Sequence, residues 1–285
     1  MKALIVLHIY YNDLTGWLLG KLANINGCDW DLIVTWSHED EATRKLVLDF
    51  KPDARFILVE NVGYDVWPFV SVVNNVDMSG YDFVIKIHTK RDTGQKQTRI
   101  NGLHLKGTAW RDLLVDSLLG SPDAFRELAD TFANHPDAGF VCSRKLYVKL
   151  KFKEDMALLD DELEKLGLET EERRFCAGTM FAIRPALLDV VKKRGLTPDD
   201  FPSQSKSGSA GTLAHVYERV FSLLAPAQGY KVYTIGTDRK FERKFWFRTH
   251  IQPALNFIFC LDRDGTNGDK YLTLFGFRIF ISPGE

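Results

Sequence analysis

The sequence predicts an α/β fold in which helices flank a mostly parallel sheet. Short apolar runs of strand length recur through the first half of the chain, and amphipathic stretches of helical length separate the early ones. This alternation is typical of βαβ units. The hydrophobic fraction, 45% of 285 residues, is sufficient for a packed core. The predicted strands lie at 3–9, 31–36, 54–60, 83–88 and 138–143, and the predicted early helices lie at about 12–24, 39–50 and 66–76.

The pattern changes after residue 88. Residues 89–107 are polar and contain glycine, and so long a connection after a strand is more often a functional loop than a spacer. The remaining predicted elements of this part are a helix pair at about 108–134, an acidic helix near 154–167, a strand at 176–183, a loop rich in Pro, Ser and Gly at 198–211, a helix at 212–227 and a strand at 231–236.

Composition excludes several classes of protein. The 37 basic and 38 acidic residues leave a net charge of −1, so no global field indicates a nucleic-acid partner. Four widely spaced cysteines favour neither a zinc ribbon nor a disulfide framework, and they fit a reducing cytosol. The apolar amino terminus is interpreted as a strand and not as a signal peptide. No run of 18 apolar residues occurs, so no membrane-spanning helix is expected.

The stretch NVGYDVWPF at 61–69 follows the third predicted strand. Asn61 and Gly63 suit a tight turn, and Asp65 is placed to cap a helix that has Pro68 in its first turn. Alternatively, Asn61 or Asp65 binds a nucleotide base or ribose, because polar groups at strand ends commonly hold ligands.

The stretch YDFVIKIHTKRD at 81–92 reads as a buried strand that ends in charge. Lys86 lies inside the apolar run, on the same face as His88, and therefore needs an internal carboxylate or a ligand phosphate as its partner. Arginine side chains elsewhere are expected to converge with Lys90 on a diphosphate, unless these charges form a structural salt-bridge network or a solvated loop. These arginines are Arg91, Arg99 and Arg111.

Motifs for metal binding are weak in the sequence, and those for P-loop nucleotide binding and for a nucleophilic serine are absent. The HED run at 38–40 and the pair His88 and Asp92 lack a clear third metal ligand. No P-loop and no nucleophile elbow of the G-x-S-x-G type occur.

Two later segments also contain candidate site residues. In RFCAGTMFAIR, Gly178 permits the close approach of a ligand or another backbone, or else marks a β-bulge. In HVYERVF, His215 and Glu218 lie three residues apart on one helix, directly after the loop at 198–211. They form either an acid/base pair that the loop covers or an ordinary solvated helix face.

Six segments in this order resemble the rhamnan synthesis protein F family of bacterial polysaccharide glycosyltransferases. They are HIYYND, NVGYDVWPF, YDFVIKIHTKRD, WRDLL, FCAGTMFAIR and HVYERVFSLLAPAQGY, and they extend over most of residues 1–236. The resemblance implies a GT-A-like, Rossmann-type domain at 1–236, with a nucleotide-sugar-binding half at 1–92 and an acceptor and catalytic half at 93–236.

The resemblance also implies an activity, the transfer of a deoxyhexose such as rhamnose from a nucleotide-diphosphate donor to a cell-surface polysaccharide or lipid-linked glycan. Many GT-A enzymes hold a metal with Asp-x-Asp at the end of the fourth strand, where this chain has His88-Thr89-Lys90. A reaction without a metal or other cofactor is therefore expected, and inversion is expected if Glu218 acts as a base and not as a nucleophile. Glu218 is the expected catalytic base, with His215 as the second candidate. The residues expected to bind the donor are His8, Tyr10, Asn61, Gly63, Asp65, Lys86, His88, Lys90, Arg91, Arg111 and Gly178.

Three alternatives stay open at this point. The first is a non-catalytic binding protein for nucleotide sugars or glycans, and the second is a transferase for another sugar. The third is a glycoside hydrolase whose paired carboxylates are Asp65 and Glu218 or come from the acidic helix at 154–167. A basic strand end argues against the hydrolase, since cleaving a glycoside needs no diphosphate site.

Residues 237–285 are expected to form a carboxyl-terminal extension. Within it, the segment 238–250 interleaves five basic residues with four aromatic ones. This segment either lies on an anionic membrane surface or packs on the preceding domain. The cysteines indicate a cytoplasmic protein, and the first of these two interpretations adds peripheral contact with the inner membrane. The final stretch YLTLFGFRIFIS suggests a terminal hairpin.

Overall fold

The computed structural model describes residues 1–91, 98–101, 103–150, 153–201, 211–236, 241, 243, 246–263 and 270–283. The chain divides into two compact units, Met1–Gly236 and Thr237–Glu285.

The strands and helices of the first unit alternate through its amino-terminal half. Its strands are β1 Lys2–Ile9, β2 Asp29–Trp36, β3 Arg55–Leu58, β4 Phe83–His88, β5 Thr98–Ile100, β6 Leu103–Leu105, β7 Ala138–Ser143, β8 Tyr147–Lys149, β9 Arg174–Cys176, β10 Phe181–Ile183 and β11 Lys231–Ile235. Its helices are α1 Thr15–Leu22, α2 Glu41–Phe50, α3 Val66–Asn75, α4 Ala109–Leu119, α5 Pro122–Asn134, α6 Lys153–Lys165, α7 Asp189–Arg194 and α8 Leu213–Ala227.

Seven strands form the central sheet, in the order β11-β7-β10-β4-β1-β2-β3. Neighbouring strands run parallel except on the two sides of β10, which pairs antiparallel with both β4 and β7. The predicted α/β class with a mostly parallel sheet is therefore confirmed.

The apolar runs form central strands because both of their faces are covered. All six residues of β4 are buried, as are seven of the eight in β1, which is typical of parallel strands that lie between two layers of helices. One apolar cluster joins the sheet to α3, α6, α7 and α8, and a second joins it to α1, α2, α4 and α5. The sheet is thus the middle layer of three.

The strand order reverses beside β1. The chain passes from β1 outward to β2 and β3, and it then returns to place β4 on the other side of β1. Open α/β sheets bind ligands at such a switch point, outside the carboxyl ends of the strands. β1 and β4 end in register there, with His8 opposite His88.

One predicted strand is wrong in its extent. Residues 176–183 do not form one strand, because β9 ends at Cys176 and β10 begins at Phe181. The residues between them form a turn in which Gly178 has φ +86° and Thr179 has φ +49°. Positive φ at two successive residues is incompatible with an extended strand.

The predicted loop at 89–107 contains a small antiparallel pair, β5 and β6. Residues 92–97 and 102 of this loop, and 202–210 of the loop at 198–211, lie outside the described residues.

The second unit is built around a three-stranded antiparallel sheet. A π-helical turn, Phe247–Ile251, leads into α9 Gln252–Ile258, which is followed by β12 Phe259–Arg263, β13 Lys270–Leu274 and β14 Phe277–Ser282. β13 and β14 form the predicted terminal hairpin, through a turn at Phe275 and Gly276, and β12 pairs with β13. Much of the basic and aromatic segment, including Arg239, Lys240, Lys244 and Phe245, lies outside the described residues.

Throughout the described ranges, no helix combines the length and apolar character that crossing a bilayer requires.

Candidate active site

A cleft of about 270 Å³ lies beyond the carboxyl end of β4, near the switch point of the sheet. It collects residues from the β3–α3 connection, the segment after β4, the β9–β10 turn and the start of α8. The residues that line it are Tyr64, Asp65, Val66, Lys90, Gly178, Thr179, Ala214, His215 and Glu218. Five of the predicted site residues, Asp65, Lys90, Gly178, His215 and Glu218, are thus brought together.

Lys86 is buried within β4 and has an internal partner. Its side chain is 2% exposed, and its ammonium donates hydrogen bonds to the carboxylate of Asp65 and, over 3.0 Å, to the backbone oxygen of Thr179. Of the two partners that the sequence left open, the structure therefore contains the internal carboxylate. A buried ammonium is tolerated here because it is both paired and hydrogen-bonded.

Asp65 does not cap helix α3, so that interpretation is wrong. It stands at the N-cap position, but its side chain makes no capping hydrogen bond and instead accepts hydrogen bonds from Lys86 and from the hydroxyl of Thr179. Burial alone would raise the pKa of Asp65, but His88, which is protonated in strong acid, and Lys86 hold it well below its usual range, together with these two hydrogen bonds. Asp65 is therefore ionised at any pH near neutrality.

Two buried histidines flank this ion pair and are neutral. Burial lowers the pKa of His88 to about 3 and that of His8 to about 4, and Asp65 only partly opposes this effect. The Nδ1 atom of His88 lies 3.5 Å from Asp65 without a hydrogen bond, and Nδ1 of His8 lies 3.1 Å from the Thr35 hydroxyl. Neither imidazole carries a charge that attracts a phosphate at neutral pH.

The turn between β9 and β10 connects the ion pair to α8. Thr179 contacts both Lys86 and Asp65, and the backbone N–H of Gly178 donates to Oε1 of Glu218 over 2.8 Å. Gly178 is required for two reasons. Its φ of +86° suits glycine, and a Cβ atom at this position would lie 2.4 Å from the side chain of Leu114. The close neighbour is thus a side chain of α4, and not the second backbone that the sequence suggested.

Glu218 projects from α8, and both of its carboxylate oxygens accept hydrogen bonds. Oε1 accepts from Gly178, and Oε2 accepts from the buried guanidinium of Arg219 over 2.8 Å. The Glu218 side chain is 23% exposed, on the side where it lines the cleft. Burial raises its pKa, although Arg219 and the Gly178 N–H act in the opposite direction. An oriented carboxylate with a raised pKa is suited to act as a general base.

His215 lies one turn before Glu218 and also faces the cleft. Its Nδ1 is 2.8 Å from the hydroxyl of Thr212, the N-cap residue of α8. The Thr212 oxygen also accepts a long bond, 3.4 Å, from the backbone N–H of His215. If the hydroxyl donates its proton to Nδ1, the imidazole proton resides on Nε2, and this nitrogen then donates to whatever occupies the cleft.

Four side chains were predicted to converge on a phosphate; the three that the structure describes make separate contacts, and the side chain of Arg99 lies outside the described residues. Lys90 lines the cleft, and it makes no ion pair with any residue that the structure describes. Arg91 is exposed, lies over the ring of Tyr11 and pairs weakly with Asp13, whereas Arg111 lies over Trp17 and pairs with Asp112. Their part in donor binding stays a prediction.

Tyr10, Asn61 and Gly63 do not line the cleft but support its surroundings. The backbone N–H of Tyr10 donates to the buried hydroxyl of Thr89, which ties the end of β1 to the segment after β4. Gly63 has φ +62°, and a Cβ atom there would lie 2.8 Å from Phe201. Asn61 is exposed.

Sequence reasoning missed three residues of the site, Tyr64, Thr179 and Arg219. Tyr64 follows Gly63 in the motif NVGYD, and Thr179 follows Gly178, so a glycine that permits a left-handed turn is the signal that each position offered. Arg219 carried no signal, because a charged residue beside Glu218 on a helix ordinarily points to solvent.

The residues at the end of β4 do not fit a divalent cation. The Asp65 carboxylate already holds the ammonium of Lys86, and the next ionisable side chains along the strand are His88 and Lys90. In the described ranges, no group of three His, Cys, Asp or Glu side chains is arranged to hold a metal ion.

One family model matches most of the chain. The sequence model of rhamnan synthesis protein F matches residues 1–230. Two relatives, each named "Uncharacterized protein WxcX" and each from a strain of Xanthomonas campestris pv. campestris, are 26% identical over 240 residues. The match covers 82% of this chain and 33% of each relative, so the chain spans about a third of their length.

Solved structures show more distant similarity. S. aureus TarS 1–349 has a TM-score of 0.41 at 12% identity, covering 90% of this chain and 66% of that one. The mannosyltransferase PcManGT from Pyrobaculum calidifontis, solved with GDP-Man and Mn²⁺, has a TM-score of 0.39 at 13% identity, covering 90% and 64%. The family match, which extends over nearly the whole first unit, identifies the chain as a member of the rhamnan synthesis protein F family.

Proposed function

We propose that the chain is a glycosyltransferase that moves a sugar from a nucleoside-diphosphate donor to an acceptor hydroxyl. One observation carries the proposal. A lysine without an ion pair to any described residue, Lys90, and an oriented carboxylate, Glu218, face the same cleft beyond the carboxyl end of β4. Sugar transfer from such a donor needs these two groups, a cation for the departing diphosphate and a base for the acceptor.

The reaction proceeds by a single displacement. The acceptor oxygen forms a bond to the anomeric carbon while the bond from that carbon to the diphosphate oxygen breaks. The acceptor proton passes to Glu218, and the nucleoside diphosphate leaves with the bonding electron pair, its charge opposed by Lys90. Attack from the side opposite the leaving group inverts the anomeric carbon, which is the outcome when the carboxylate acts as a base and not as a nucleophile.

Glu218 is a better base than His215 in this arrangement. Its carboxylate is oriented by Gly178 and Arg219, and burial has raised its pKa toward neutrality. His215 has one nitrogen directed to Thr212. With the proton on Nε2, His215 donates a hydrogen bond to the acceptor or the diphosphate and does not remove a proton.

The proposal includes transfer without a divalent metal. Lys90 supplies the charge that a metal provides in other transferases. Lys86 contributes only indirectly, because its ammonium already holds Asp65 in place.

The finer identity of the substrates is also proposed. Rhamnose, or a related deoxyhexose, as the transferred sugar is supported by the family description alone. A cell-surface polysaccharide or lipid-linked glycan is the matching acceptor, and the cytoplasm is the compartment in which nucleotide sugars are available. A hydrolase that uses Asp65 and Glu218 is disfavoured, because Asp65 already accepts hydrogen bonds from Lys86 and Thr179 and its pKa is lowered.

Peripheral contact of the second unit with an anionic membrane belongs to the same proposal. Large apolar side chains of this unit are uncovered, including Phe277 at 76% and Leu261 at 62% exposure. The segment at 238–250 supplies Arg239, Lys240, Arg243, Lys244 and Arg248. Exposed apolar side chains, together with a segment rich in basic residues, fit an interface that is both apolar and negatively charged.

A panel of nucleotide sugars tests the function. We expect one donor, a nucleotide-activated deoxyhexose, to raise the melting temperature of the full chain. The same donor should be turned over in the presence of a glycan acceptor, both with and without excess chelator. A chain that binds the donor but neither transfers nor hydrolyses it would be the non-catalytic binding protein. Loss of all transfer in chelator, restored by manganese, would refute the metal-independent mechanism.

A further inference from the structure

Tyr64 presents its ring to the cleft from an unfavourable backbone conformation. Its φ is +55°, in the left-handed region that residues with a Cβ rarely adopt. The preceding residue, Gly63, is also left-handed, with φ +62°. Thr179, on the β9–β10 turn, is a second non-glycine residue of this kind at the cleft. Such conformations cluster where the surrounding structure holds a side chain for function.

The ring lies beside His215 and lines the same cleft as the proposed base, Glu218. Its centroid is 5.7 Å from that of the His215 imidazole, with 43° between the planes, and His215 is one turn before Glu218 on α8. Tyr64 is 39% exposed. The other side chains that line the described part of the cleft are charged, polar or small aliphatic groups, so Tyr64 offers the broadest apolar face there.

A pyranose ring is the ligand that this face fits. One face of such a sugar presents several C–H groups and packs on an aromatic ring, while its hydroxyls remain free to bond with polar neighbours. The cleft, at about 270 Å³, is slightly below the range of about 300–1,000 Å³ that suits drug-sized ligands. It therefore suits one sugar ring. A nucleobase is a poorer occupant of this cleft. The group near Glu218 must carry either the anomeric carbon or the attacking hydroxyl, and both belong to sugars.

We infer that Tyr64 is a sugar-binding residue that stacks on the pyranose ring at the reaction centre. This inference rests on the proposed function. It assigns the contact with the sugar ring to Tyr64, and the binding of the diphosphate to Lys90.

Three variants of the full chain test the inference. Tyr64→Gly removes the ring and relieves the backbone, whereas Tyr64→Phe keeps the ring. Phe275→Gly is the matched control, because Phe275 has φ +48° in the β13–β14 turn and is 65% exposed, outside the first unit. Each variant is assayed for its Kd for the nucleoside diphosphate, its Kd for the nucleotide sugar and its acceptor KM.

Tyr64→Gly should leave the Kd of the nucleoside diphosphate within about twofold of the wild-type value. It should weaken the binding of either the donor sugar or the acceptor sugar about five- to tenfold, as loss of an aromatic contact predicts. A weaker Kd for the nucleotide sugar assigns the contact to the donor, and a raised acceptor KM assigns it to the acceptor. Tyr64→Phe and Phe275→Gly should stay near wild type. The melting temperature of Tyr64→Gly should be unchanged or higher.

Two results would overturn the inference in distinguishable ways. An active wild-type chain whose Tyr64→Gly variant keeps both sugar constants within twofold contradicts the role of Tyr64 alone. A wild-type chain that neither binds nor transfers any nucleotide sugar contradicts the proposed function, and this inference with it.

Discussion

The backbone N–H of Gly178 donates a hydrogen bond of 2.8 Å to Oε1 of Glu218, forty residues further along the chain. The second oxygen of Glu218 is held by Arg219. The carboxylate therefore has a fixed orientation, and it is presented to the cleft by a turn that only a glycine permits without displacing Leu114. A base that is oriented before the substrate binds needs less reorganisation in the transition state.

Changing Glu218 to glutamine should abolish proton removal but preserve the shape of the site. We expect turnover to fall by a factor of about 10²–10⁴, while the Kd of the donor changes little, because the base acts only as the acceptor attacks. Glu164→Gln, at an exposed position on α6, is the control. Steady-state kinetics and calorimetry with the same preparation measure both quantities.

Comparing His215→Ala with Glu218→Gln distinguishes the two candidate bases. If His215→Ala loses more turnover than Glu218→Gln, and the acidic limb of the rate profile lies near pH 6.5, then the histidine is the base and the assignment of Glu218 is wrong.

Replacing Lys90 by alanine should weaken the binding of a nucleoside diphosphate by about 1–3 kcal/mol, as expected for the loss of a charge-assisted contact. Lys45→Ala removes an exposed lysine from α2 and should leave the Kd unchanged. Arg91→Ala tests the arginine prediction from the sequence directly. Calorimetric titration at two salt concentrations measures each Kd, and an unaltered constant for Lys90→Ala would remove this residue from the donor site.

Lys86 and Asp65 should behave as a structural pair. Lys86→Met leaves a buried carboxylate without its counter-ion, so the free energy of unfolding should fall by about 3–5 kcal/mol. The double variant Lys86→Met with Asp65→Asn should recover much of this loss, because the remaining amide is neutral. Urea unfolding measures both effects. Equal stability of the single and double variants would contradict the pairing.

The buried histidines should make the fold sensitive to acid below about pH 6.5. An unfolded histidine has a pKa near 6.5, whereas His8 and His88 have values of about 4 and 3 in the fold. Between those limits the unfolded chain binds more protons, so the free energy of unfolding falls as the pH falls. The slope is up to about 1.4 kcal/mol per pH unit for each group.

The contribution of His8 should end near pH 4, and that of His88 near pH 3. A His88→Gln variant should show a shallower slope in unfolding curves measured between pH 4 and 6.5. His38→Gln, at an exposed position, controls for the loss of a histidine elsewhere in the chain. An identical slope in His88→Gln and wild type would show that His88 is charged in the fold.

The second unit should bind anionic vesicles. In a flotation assay, the full chain should associate with vesicles that contain phosphatidylglycerol and much less with pure phosphatidylcholine, and added salt should weaken the association. Replacing both Phe277 and Ile279 of β14 by serine should reduce it. Leu46→Ser, at an exposed apolar position on α2, is the control.

Equal binding of the serine variant and wild type would show that the exposed face of β14 does not contact lipid. Concentration-dependent dimerisation without vesicle binding would instead identify a second copy of the chain as the occupant of that face.

Local sequence patterns were sufficient to predict the layers of the first unit. A buried strand and an amphipathic helix each carry their own periodicity, so β1, β2, β4 and β7 and the helices between them were predictable from local pattern. The sequence also placed Glu218 and His215 on one helix face, and Lys90 just beyond a strand end, because spacing of this kind is a local property.

Tertiary structure alone decided how these pieces meet. β10 has only three residues and lies between β4 and β7, and strand order in a sheet depends on pairings between distant segments that no local period specifies. The partner of Lys86 was undetermined for the same reason, because Asp65 lies 21 residues away and Thr179 lies 93 residues away. Charge and spacing show which residues need a partner, but only the folded chain brings that partner within hydrogen-bond distance.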